Sequence, residues 1–352
     1  MRGKLFIKTI NLGELKVRVG IAGTGFMGST HARGWAETEA EISAFLAEEM
    51  ALAEPLAERF EAKIYTDFEE MLDNVDLVDI CTPTYLHHEM VMKSAAAGKH
   101  VMCEKPLART LEQGREMVRT CRQKSVMLFP AHVVRFFPEY SGARDAVVRG
   151  DIGQPAVIRL ARETFCPKKA GDNWFLDFEK SGGIILDLMI HDLDYAQWLC
   201  GEVESVYAKS IGIENAGLPF DHALVILEHR SGALSHVESS WAFPPPEFHT
   251  RFEIAGRDGL ITFDSDESTP IGLHLHSGCS EDTPDIPLPA SPLHKSPYHM
   301  EIERFYNAVK EGTPPPVSAE EGLAALQIAL AAIESAGSGV PVTLKHLPEV
   351  EA

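Results

Sequence analysis

A glycine turn between a predicted strand and a predicted helix constrains this chain more than any other feature. From Val17 the sequence runs VRVGIA, then GTGFMG, then STHARGWAE, and the middle segment fits the pattern G-x-G-x-x-G. Such glycines permit a tight turn, close approach of the backbone to a pyrophosphate, and close packing of a helix whose N-terminus faces the anion. An ordinary glycine turn is the alternative. The pattern favours a dinucleotide site with the turn residues Gly23, Thr24, Gly25, Phe26, Met27 and Gly28.

Further strands and helices alternate after this turn. The strand-like runs are EISAFLA, DLVDICTP and HVMCEKP, and the helix-like stretches between them are MALAEPLAERF and HHEMVMKSAAAGKH. Gly98 suits the left-handed residue that ends a helix. Strands that alternate with helices of about 10 to 15 residues predict βαβ units around a parallel sheet.

The pattern changes after about residue 132. Most of the strand-like segments there follow one another through short turns: PAVIRLARE, VESVYAKSIGI, HALVILEHR, ALSHVESSW, TRFEIAG and GLITFD. Only the first two are separated by a helical segment, GGIILDLMIHDLDYAQWLCG, and two more helices follow near the C-terminus. Strands joined by short turns predict an antiparallel sheet in this part of the chain.

Length and charge limit the class of protein. A chain of 352 residues, 45% of them hydrophobic, is long enough for about two domains with substantial cores. The 52 acidic residues outnumber the 32 Lys and Arg residues, and the net charge of −20 disfavours nucleic acids and anionic membranes as partners. The six cysteines form no C-x-x-C pair, and no apolar run of about 18 residues occurs. The first sixteen residues lack a long apolar core followed by a small-residue cleavage site, so we expect no secretory signal. We therefore expect a cytoplasmic protein.

An acidic residue about 20 positions after the glycine turn would bind the ribose of NAD. Glu48 lies at that distance from Gly28, but the end of the second strand could equally be Ala47, with Glu48 and Glu49 just outside it. A solvated carboxylate at a helix start is the alternative. The segment AEEMALAEP contains no Arg or Lys for a 2′-phosphate, so NAD is favoured, with NADP as the alternative.

Two further motifs carry chemistry. Glu104, Lys105 and Pro106 end a predicted parallel strand, where open α/β sheets bind ligands, although an ordinary surface lysine is the alternative. Asp187 and His191 are spaced i and i+4, with an aspartate at i+7, so on a helix they share one face. Histidine can exchange a proton with an alcohol near neutral pH, whereas a solvated polar stripe is the alternative.

These motifs together resemble the Gfo/Idh/MocA family, the group of glucose–fructose oxidoreductase, inositol dehydrogenase and rhizopine catabolism. The resemblance extends from Val17 to about Leu344 and includes GIAGTGFMG, DICTPTYLHHEMVMKSAAAGKHVMCEKPLA, RFFP and GGIILDLMIHDLDYAQWL. The nucleotide turn, the E-K-P strand end and D-x-x-x-H-x-x-D occur in family-like order and spacing.

The resemblance implies an α/β protein with two domains after an N-terminal extension, residues 1–16. The first, over 17–132, would be a Rossmann domain with a parallel sheet that binds NAD(P). The second, over 133–352, would be an α+β domain with an open, mainly antiparallel sheet, which binds substrate and pairs subunits. A homodimer or homotetramer is therefore expected.

The resemblance also assigns roles to individual residues. Lys105 matches the catalytic lysine of the E-K-P motif, Asp187 the substrate-binding aspartate and His191 the acid/base histidine. Ala47 departs from the acidic ribose-binding position of many NAD-using members. The expected cofactor-binding residues outside the glycine turn are Ala47, Glu48, Thr82, Pro83, His87, Glu104 and Lys105. The expected substrate-binding residues are Lys105, Arg135, Trp174, Asp187 and His191.

Some of these assignments have structural alternatives. Trp174 could stack on a sugar ring or pack in a core, and the role of the arginine at position 135 varies within the family. His274 and His276 form H-x-H, but no third ligand is evident, so exposed strand histidines are favoured and no metal is expected.

The predicted function is an NAD(P)-dependent dehydrogenase or reductase that acts on a secondary alcohol or carbonyl group of a sugar, cyclitol or related polyol. His191 would exchange the hydroxyl proton, Lys105 would bond the same oxygen, and Asp187 would hold the substrate. One alternative is a glycoside hydrolase that oxidises its sugar transiently with NAD. The other is a nucleotide-binding sensor on the same fold without turnover.

Overall fold

The computed structural model describes residues 16–168, 173–212, 221–266 and 296–347. His274, His276 and residues 1–15 of the expected extension lie outside them. The chain forms two compact units. Within the described residues, the first unit comprises 16–136, 296–323 and 347, and the second comprises the rest. Residues 296–323 thus belong to the nucleotide-turn unit although they are distant from it in sequence.

The first unit is built on six parallel strands. Their spatial order is β3-β2-β1-β4-β5-β6, which is the Rossmann order. The strands are β1 (Arg18–Ala22), β2 (Glu41–Leu46), β3 (Lys63–Tyr65), β4 (Leu77–Ile80), β5 (His100–Glu104) and β6 (Leu128–Ala131). The predicted parallel sheet is confirmed, and the order reverses between β1 and β4, where this fold binds its ligand.

Helices follow the strands of this sheet. They are α1 (Phe26–Trp35), α2 (Met50–Phe60), α3 (Phe68–Leu72), α4 (Thr84–Ala96) and α5 (Leu111–Gln123), with a 3-10 helix at Val133–Phe136. Gly98, just past the end of α4, has a φ of 71°, as its sequence context predicts. Helix α9 (Pro297–Glu311) packs against α1, and Ile302 joins Trp35 and Phe129 in the core.

The second unit is built on a seven-stranded sheet of order β12-β11-β7-β10-β9-β8-β13. The strands are β7 (Pro155–Thr164), β8 (Val203–Ile211), β9 (His222–His229), β10 (Leu234–Ser240), β11 (Phe248–Gly256), β12 (Leu260–Asp264) and β13 (Val342–Thr343). All neighbours are antiparallel except β7 and β10, which are parallel. The prediction of a mainly antiparallel sheet is confirmed, with this one parallel pair as a difference.

The helices of the second unit are α6 (Pro138–Arg149), α7 (Phe178–Ser181), α8 (Ile190–Cys200) and α10 (Ala319–Ser338), whose first residues belong to the first unit. A 3-10 helix spans Trp174–Leu176, and a π-helical turn spans Ile185–Met189. Helix α8 packs against β7 and β10. The sheet buries alternate residues toward this side, which gives β9 and β11 their alternating burial.

No helix in the described part of the chain combines the length and the hydropathy that crossing a membrane requires. The cysteines at positions 81, 103, 121, 166 and 200 are free thiols.

Candidate functional site

The glycine turn connects β1 to α1 and leaves no room for side chains at two of its three glycines. Gly23 has a φ of 101°, and a Cβ there would lie 2.8 Å from the carbonyl oxygen of Cys81. A Cβ on Gly28 would lie 1.9 Å from the carbonyl oxygen of Gly23. Glycine is therefore required at both positions by contacts within the protein.

Gly25 is different, because the protein itself does not need a glycine there. It is exposed with a φ of −72°, and a Cβ built on it would meet no described atom within 4 Å. No side chain caps the N-terminus of α1 at this residue. An uncapped helix start beside open space fits a phosphate group. The turn therefore fits the pyrophosphate of a dinucleotide.

We expect Gly25→Val to weaken NAD binding by at least about tenfold, or about 1.4 kcal/mol, because its side chain would occupy the phosphate space. Titration of NADH with the purified variant measures this. Gly142→Val is the matched control, since a Cβ on Gly142, in α6, also meets no described atom within 4 Å. Equal NADH affinity in the two variants would place the phosphate elsewhere.

Carboxylates lie just beyond the end of β2. The strand ends at Leu46, whose carbonyl accepts a hydrogen bond of 3.0 Å from the backbone N–H of Gly23. Ala47 follows and is buried, whereas Glu48 and Glu49 are exposed. The expected ribose-binding position is thus a buried alanine next to two exposed acidic side chains, which would repel a 2′-phosphate.

His87 joins the ends of two neighbouring strands. Its ring nitrogens lie 2.9 Å from the carbonyl oxygens of Thr82, after β4, and Pro106, after β5. Burial lowers the pKa of His87 although both carbonyls favour its charged form. Because both nitrogens contact the backbone, His87 connects the loop of Thr82 and Pro83 to the segment that carries Lys105.

Glu104 contacts the backbone of the expected catalytic lysine. Its carboxylate is buried, and Oε2 accepts a hydrogen bond of 3.0 Å from the backbone N–H of Lys105. Oε1 lies 3.0 Å from Nε2 of His31. Burial alone would raise the pKa of Glu104, but the contact with His31 and the charges of His31 and Lys105 lower it.

His31 lies in α1 and was not among the predicted site residues. Its Nδ1 lies 2.9 Å from Oδ2 of Asp79 in β4, and Trp35 Nε1 donates a hydrogen bond of 2.7 Å to the same oxygen. Burial would lower the pKa of His31, but the charge of Asp79 and the contact with it raise that pKa well above its usual value. The sequence signal was a histidine and a tryptophan one turn apart, inside an apolar helix face.

A hydrogen bond accounts for the spacing of His31 and Asp79. The nitrogen, oxygen and sulfur atoms of His31, Asp79 and Cys81 that could bind a metal ion lie within 4.8 Å of one another. Two ligands on a tetrahedral zinc ion would be separated by about 3.3 Å, given bonds of about 2.0 Å. The 2.9 Å between His31 and Asp79 is a hydrogen-bond length.

Glu301 of α9 is a third acidic group in the same place. It is fully buried, and neither carboxyl oxygen has a hydrogen-bond partner among the described residues. Burial, followed by the negative charge of Glu104, raises the pKa of Glu301 well above its usual value. Burial without a hydrogen-bond partner, beside the negative charge of Glu104, therefore favours the neutral acid form of Glu301.

We expect Glu301→Gln to become more stable relative to the parent as the pH rises from 5 to 8. The unfolded glutamate ionises near pH 4.3, so its deprotonation increasingly favours unfolding above that pH, by at most about 1.4 kcal/mol per pH unit. This penalty stops growing once the folded acid itself ionises, and glutamine never incurs it. Urea unfolding at several pH values measures the effect, with Glu311→Gln at the exposed end of α9 as the control. Parallel pH curves for Glu301→Gln and the parent would contradict the prediction.

Arg135 is a buried structural cation in this unit. Its side chain is 4% exposed, and Nη1 lies 2.6 Å from Oε1 of Glu321. Glu321 also accepts hydrogen bonds from the backbone N–H and hydroxyl of Ser318 at the start of α10. This ion pair accounts for much of the arginine's charge, so its expected contact with substrate stays a prediction.

In the second unit, the segment with Asp187 and His191 is buried almost throughout. Every residue from Ser181 to Ala196 is buried except His191, which is partly exposed. Asp187 lies in the π-helical turn and His191 in the first turn of α8, so the α-helical spacing assumed from sequence does not hold between them. Single π-turns inside helices are frequent at functional sites.

A buried ion pair adjoins His191. Arg162 of β7 binds Asp192 through two hydrogen bonds, of 2.7 Å from Nε and 2.9 Å from Nη2, and both side chains are at most 2% exposed. Burial alone would lower the pKa of Arg162, but the charge of Asp192 raises it. The sequence motif drew attention to Asp187 and Asp194, and nothing in it identified Arg162 as the partner of Asp192.

Trp174 is partly exposed in the second unit. Its ring stacks on that of Phe175, with centroids 4.1 Å apart and an angle of 27° between planes. The arrangement fits either of the two predicted roles, so its sugar contact stays a prediction.

Two family sequence models match the chain. The model described as "Oxidoreductase family, NAD-binding Rossmann fold" matches residues 17–132. The model described as "Oxidoreductase family, C-terminal alpha/beta domain" matches residues 144–344. Together they cover most of the chain, and each covers one of the two predicted sheets.

Individual proteins are similar over most of their length. A myo-inositol 2-dehydrogenase of Thermotoga maritima is 32% identical over 91% of this chain and 96% of its own length. A 1,5-anhydro-D-fructose reductase of Ensifer adhaerens is 31% identical over 79% of this chain and 83% of its own. A solved structure of levoglucosan dehydrogenase with NADH and levoglucosan is 25% identical, covers 94% of this chain and 100% of its own, and has a TM-score of 0.80.

Proposed function

The chain belongs to the Gfo/Idh/MocA oxidoreductase family, and we propose that it transfers a hydride between NAD and a secondary alcohol or carbonyl group of a sugar, cyclitol or related polyol. The observation that carries the proposal lies in the first unit. The open phosphate space at Gly25 and the strand end with Lys105 lie at the same carboxyl edge of one parallel sheet. The similar dehydrogenases and reductases support a polyol substrate.

NAD, when bound, supplies a nicotinamide ring that accepts or returns a hydride. The backbone of Gly23–Gly28 would hold its pyrophosphate, and its adenosine ribose would lie near Ala47 and Glu48. The loop of Thr82 and Pro83, fixed by His87, would contact the cofactor beside the turn.

Alcohol oxidation also releases a proton, which the chain must accept. We assign this step to His191, whose Nδ1 is buried, so that Nε2 is the nitrogen that exchanges the proton with the substrate hydroxyl. The ammonium group of Lys105 would donate a hydrogen bond to the same oxygen and stabilise its negative charge. Asp187 would accept a hydrogen bond from a second hydroxyl group and so orient the substrate. These roles rest on the motifs shared with the family.

A polyol panel with NAD tests the reaction. We expect NADH to accumulate in proportion to oxidised product for at least one inositol, aldose or anhydrosugar, and more slowly with NADP because of the exposed Glu48 and Glu49. Hydrolysis of a glycoside without net NADH would indicate the transient-oxidation mechanism instead. NAD binding without turnover on any polyol or ketose would favour a sensor.

We propose a cytoplasmic homodimer or homotetramer, and the open face of the second sheet supports the pairing of subunits. This face exposes apolar side chains beside charged ones, and the exposed apolar residues include Leu224, Leu234 and Leu260. A second copy of the same face would remove these leucines from water. Light scattering over a range of protein concentrations tests this assembly, and a constant monomeric mass would refute it.

A further inference from the structure

We propose that His31 is a positioning residue: as a buried imidazolium it holds the Glu104 carboxylate in place and, through it, the backbone of Lys105. The inference rests on the proposed catalytic role of Lys105 and extends it to a residue outside the E-K-P motif. The groups concerned all belong to the first unit.

The contacts form one continuous chain. Trp35 Nε1 donates to Asp79 Oδ2, and the same oxygen lies 2.9 Å from Nδ1 of His31. On the other side of the ring, Nε2 lies 3.0 Å from Glu104 Oε1. The other oxygen of Glu104 accepts the backbone N–H of Lys105 at 3.0 Å. Each step has the length of a hydrogen bond, so movement of His31 would move the acceptor that fixes Lys105.

The two carboxylates on either side of the ring favour a His31 that is protonated on both nitrogens. Each nitrogen faces a carboxylate oxygen, and a neutral imidazole has only one N–H. The side chains of His31 and Asp79 are 0% exposed and that of Glu104 is 9% exposed, so water offers little compensation for their charges. An imidazolium places one N–H toward each carboxylate: Nδ1 hydrogen-bonds to Asp79, and Nε2 forms an ion contact of 3.0 Å with Glu104 that lacks good hydrogen-bond geometry. The raised pKa of His31 agrees with this charge state.

The other groups that face His31 do not replace this cation. Cys81 is a thiol whose pKa is raised, first by burial and then by the charge of Asp79, and Glu301 is a neutral acid. The ring of Tyr298 lies 6.3 Å from that of His31 between centroids. His31 is therefore the buried cation among these neighbours, and its loss would leave the Glu104 carboxylate with only the charge of Lys105 to compensate it.

The position of His31 on α1 relates its contact with Glu104 to the proposed cofactor site. The same helix begins at the glycine turn, six residues before His31, and its start is the proposed phosphate site. The buried chain thus connects the helix that receives the cofactor to the strand end that carries Lys105. Without it, we expect NAD to bind at the intact glycine turn while Lys105 loses its fixed position.

The charge state is tested on the wild-type protein by nitrogen-15 NMR of its histidine rings. We expect both ring nitrogens of His31 to remain protonated from pH 6 to pH 9. His229 is the internal control: it is equally buried but contacts the carbonyl of Gly201 and the hydroxyl of Ser235, and burial lowers its pKa. A neutral His31 tautomer at pH 7 would overturn the proposal, and this measurement does not depend on any enzymatic activity.

Kinetics of His31→Asn, Glu104→Gln and the double variant test the positioning role. We expect each single variant to lower kcat by about tenfold, and the Kd of His31→Asn for NADH to change by less than about threefold. Because His31 acts through Glu104, the double variant should lose no more than the worse single variant. His229→Asn serves as the control for removal of a buried histidine, and its kcat should stay near that of the parent.

The two proposals fail in different ways. Multiplied losses of kcat in the double variant, or an unchanged kcat in folded His31→Asn, would show that His31 does not position Lys105. Absence of any polyol oxidation by the wild-type protein would refute the proposed function. The NMR measurement would still decide the charge state of His31, because it does not depend on activity. If His31→Asn does not fold, the NMR measurement on the wild-type protein decides the charge state.

Discussion

Replacing His191 with alanine is expected to lower kcat at least ~100-fold and leave NADH binding intact, because the substrate hydroxyl would lose its proton acceptor. An alkoxide formed without that acceptor is too unstable at neutral pH for rapid turnover. His191 is the partly exposed residue in an otherwise buried segment, so the truncation removes little core packing. Steady-state kinetics with the identified polyol and NADH titration measure the two quantities.

Lys105→Ala is expected to lower kcat by a similar factor, but for a different reason. The ammonium would no longer stabilise charge on the reacting oxygen, whereas the phosphate turn would be unchanged. His236→Ala on the exposed side of β10 and Lys124→Ala after α5 are matched controls for the two residue types. Near-normal kcat with an unaltered pH profile in folded His191→Ala or Lys105→Ala would refute the assigned roles.

The second large effect concerns stability. Asp192→Ala is expected to lower the free energy of unfolding by about 3 to 5 kcal/mol, because it leaves the Arg162 guanidinium buried without its partner. Arg162 is 2% exposed and makes two hydrogen bonds to that carboxylate, so water cannot replace them. Urea unfolding of the variant and the parent at pH 7 measures the difference.

The same strand provides the control for this prediction. Arg159 of β7 pairs with Glu253 of β11 at 2.7 Å, but their side chains are 64% and 49% exposed. Glu253→Ala should therefore cost no more than about 1 kcal/mol. The free energy of unfolding of the double variant Arg162→Met, Asp192→Leu should lie closer to that of the parent than the value for Asp192→Ala does, because the double variant leaves no unpaired charge buried. Equal losses in Asp192→Ala and Glu253→Ala would contradict this account.

Local sequence predicted the elements of both sheets because their signals act over short distances. The glycine turn, alternating strands and helices, and the left-handed Gly98 each depend on neighbouring residues. The β3, β6 and β13 strands were missed, because short strands carry little periodicity. The β4 strand is equally short but lies in the longer apolar run DLVDICTP, which predicted it. The π-helical turn at Ile185–Met189 was also missed, because its residues read as an ordinary apolar helix.

Local sequence patterns could not identify charged residues that pair with each other from distant parts of the chain. His31, Asp79, Glu104 and Glu301 are each separated by at least 25 residues from the next, and no short motif joins them. Arg162 and Asp192 are 30 residues apart and lie on different elements. Apart from Glu104, which belongs to the E-K-P motif, these charged residues carry no signal in the sequence, and only burial beside a specific partner gives them a role.

The sequence by itself determined the nucleotide turn and the parallel and mainly antiparallel sheets. These depend on backbone requirements of glycine and on the periodicity of apolar side chains, which are local properties. Only the tertiary structure decided that His31 lies between two carboxylates, that Glu301 is a neutral acid and that Arg162 pairs with Asp192. Charge states in a core depend on which groups exclude water around them, and folding alone determines those neighbours.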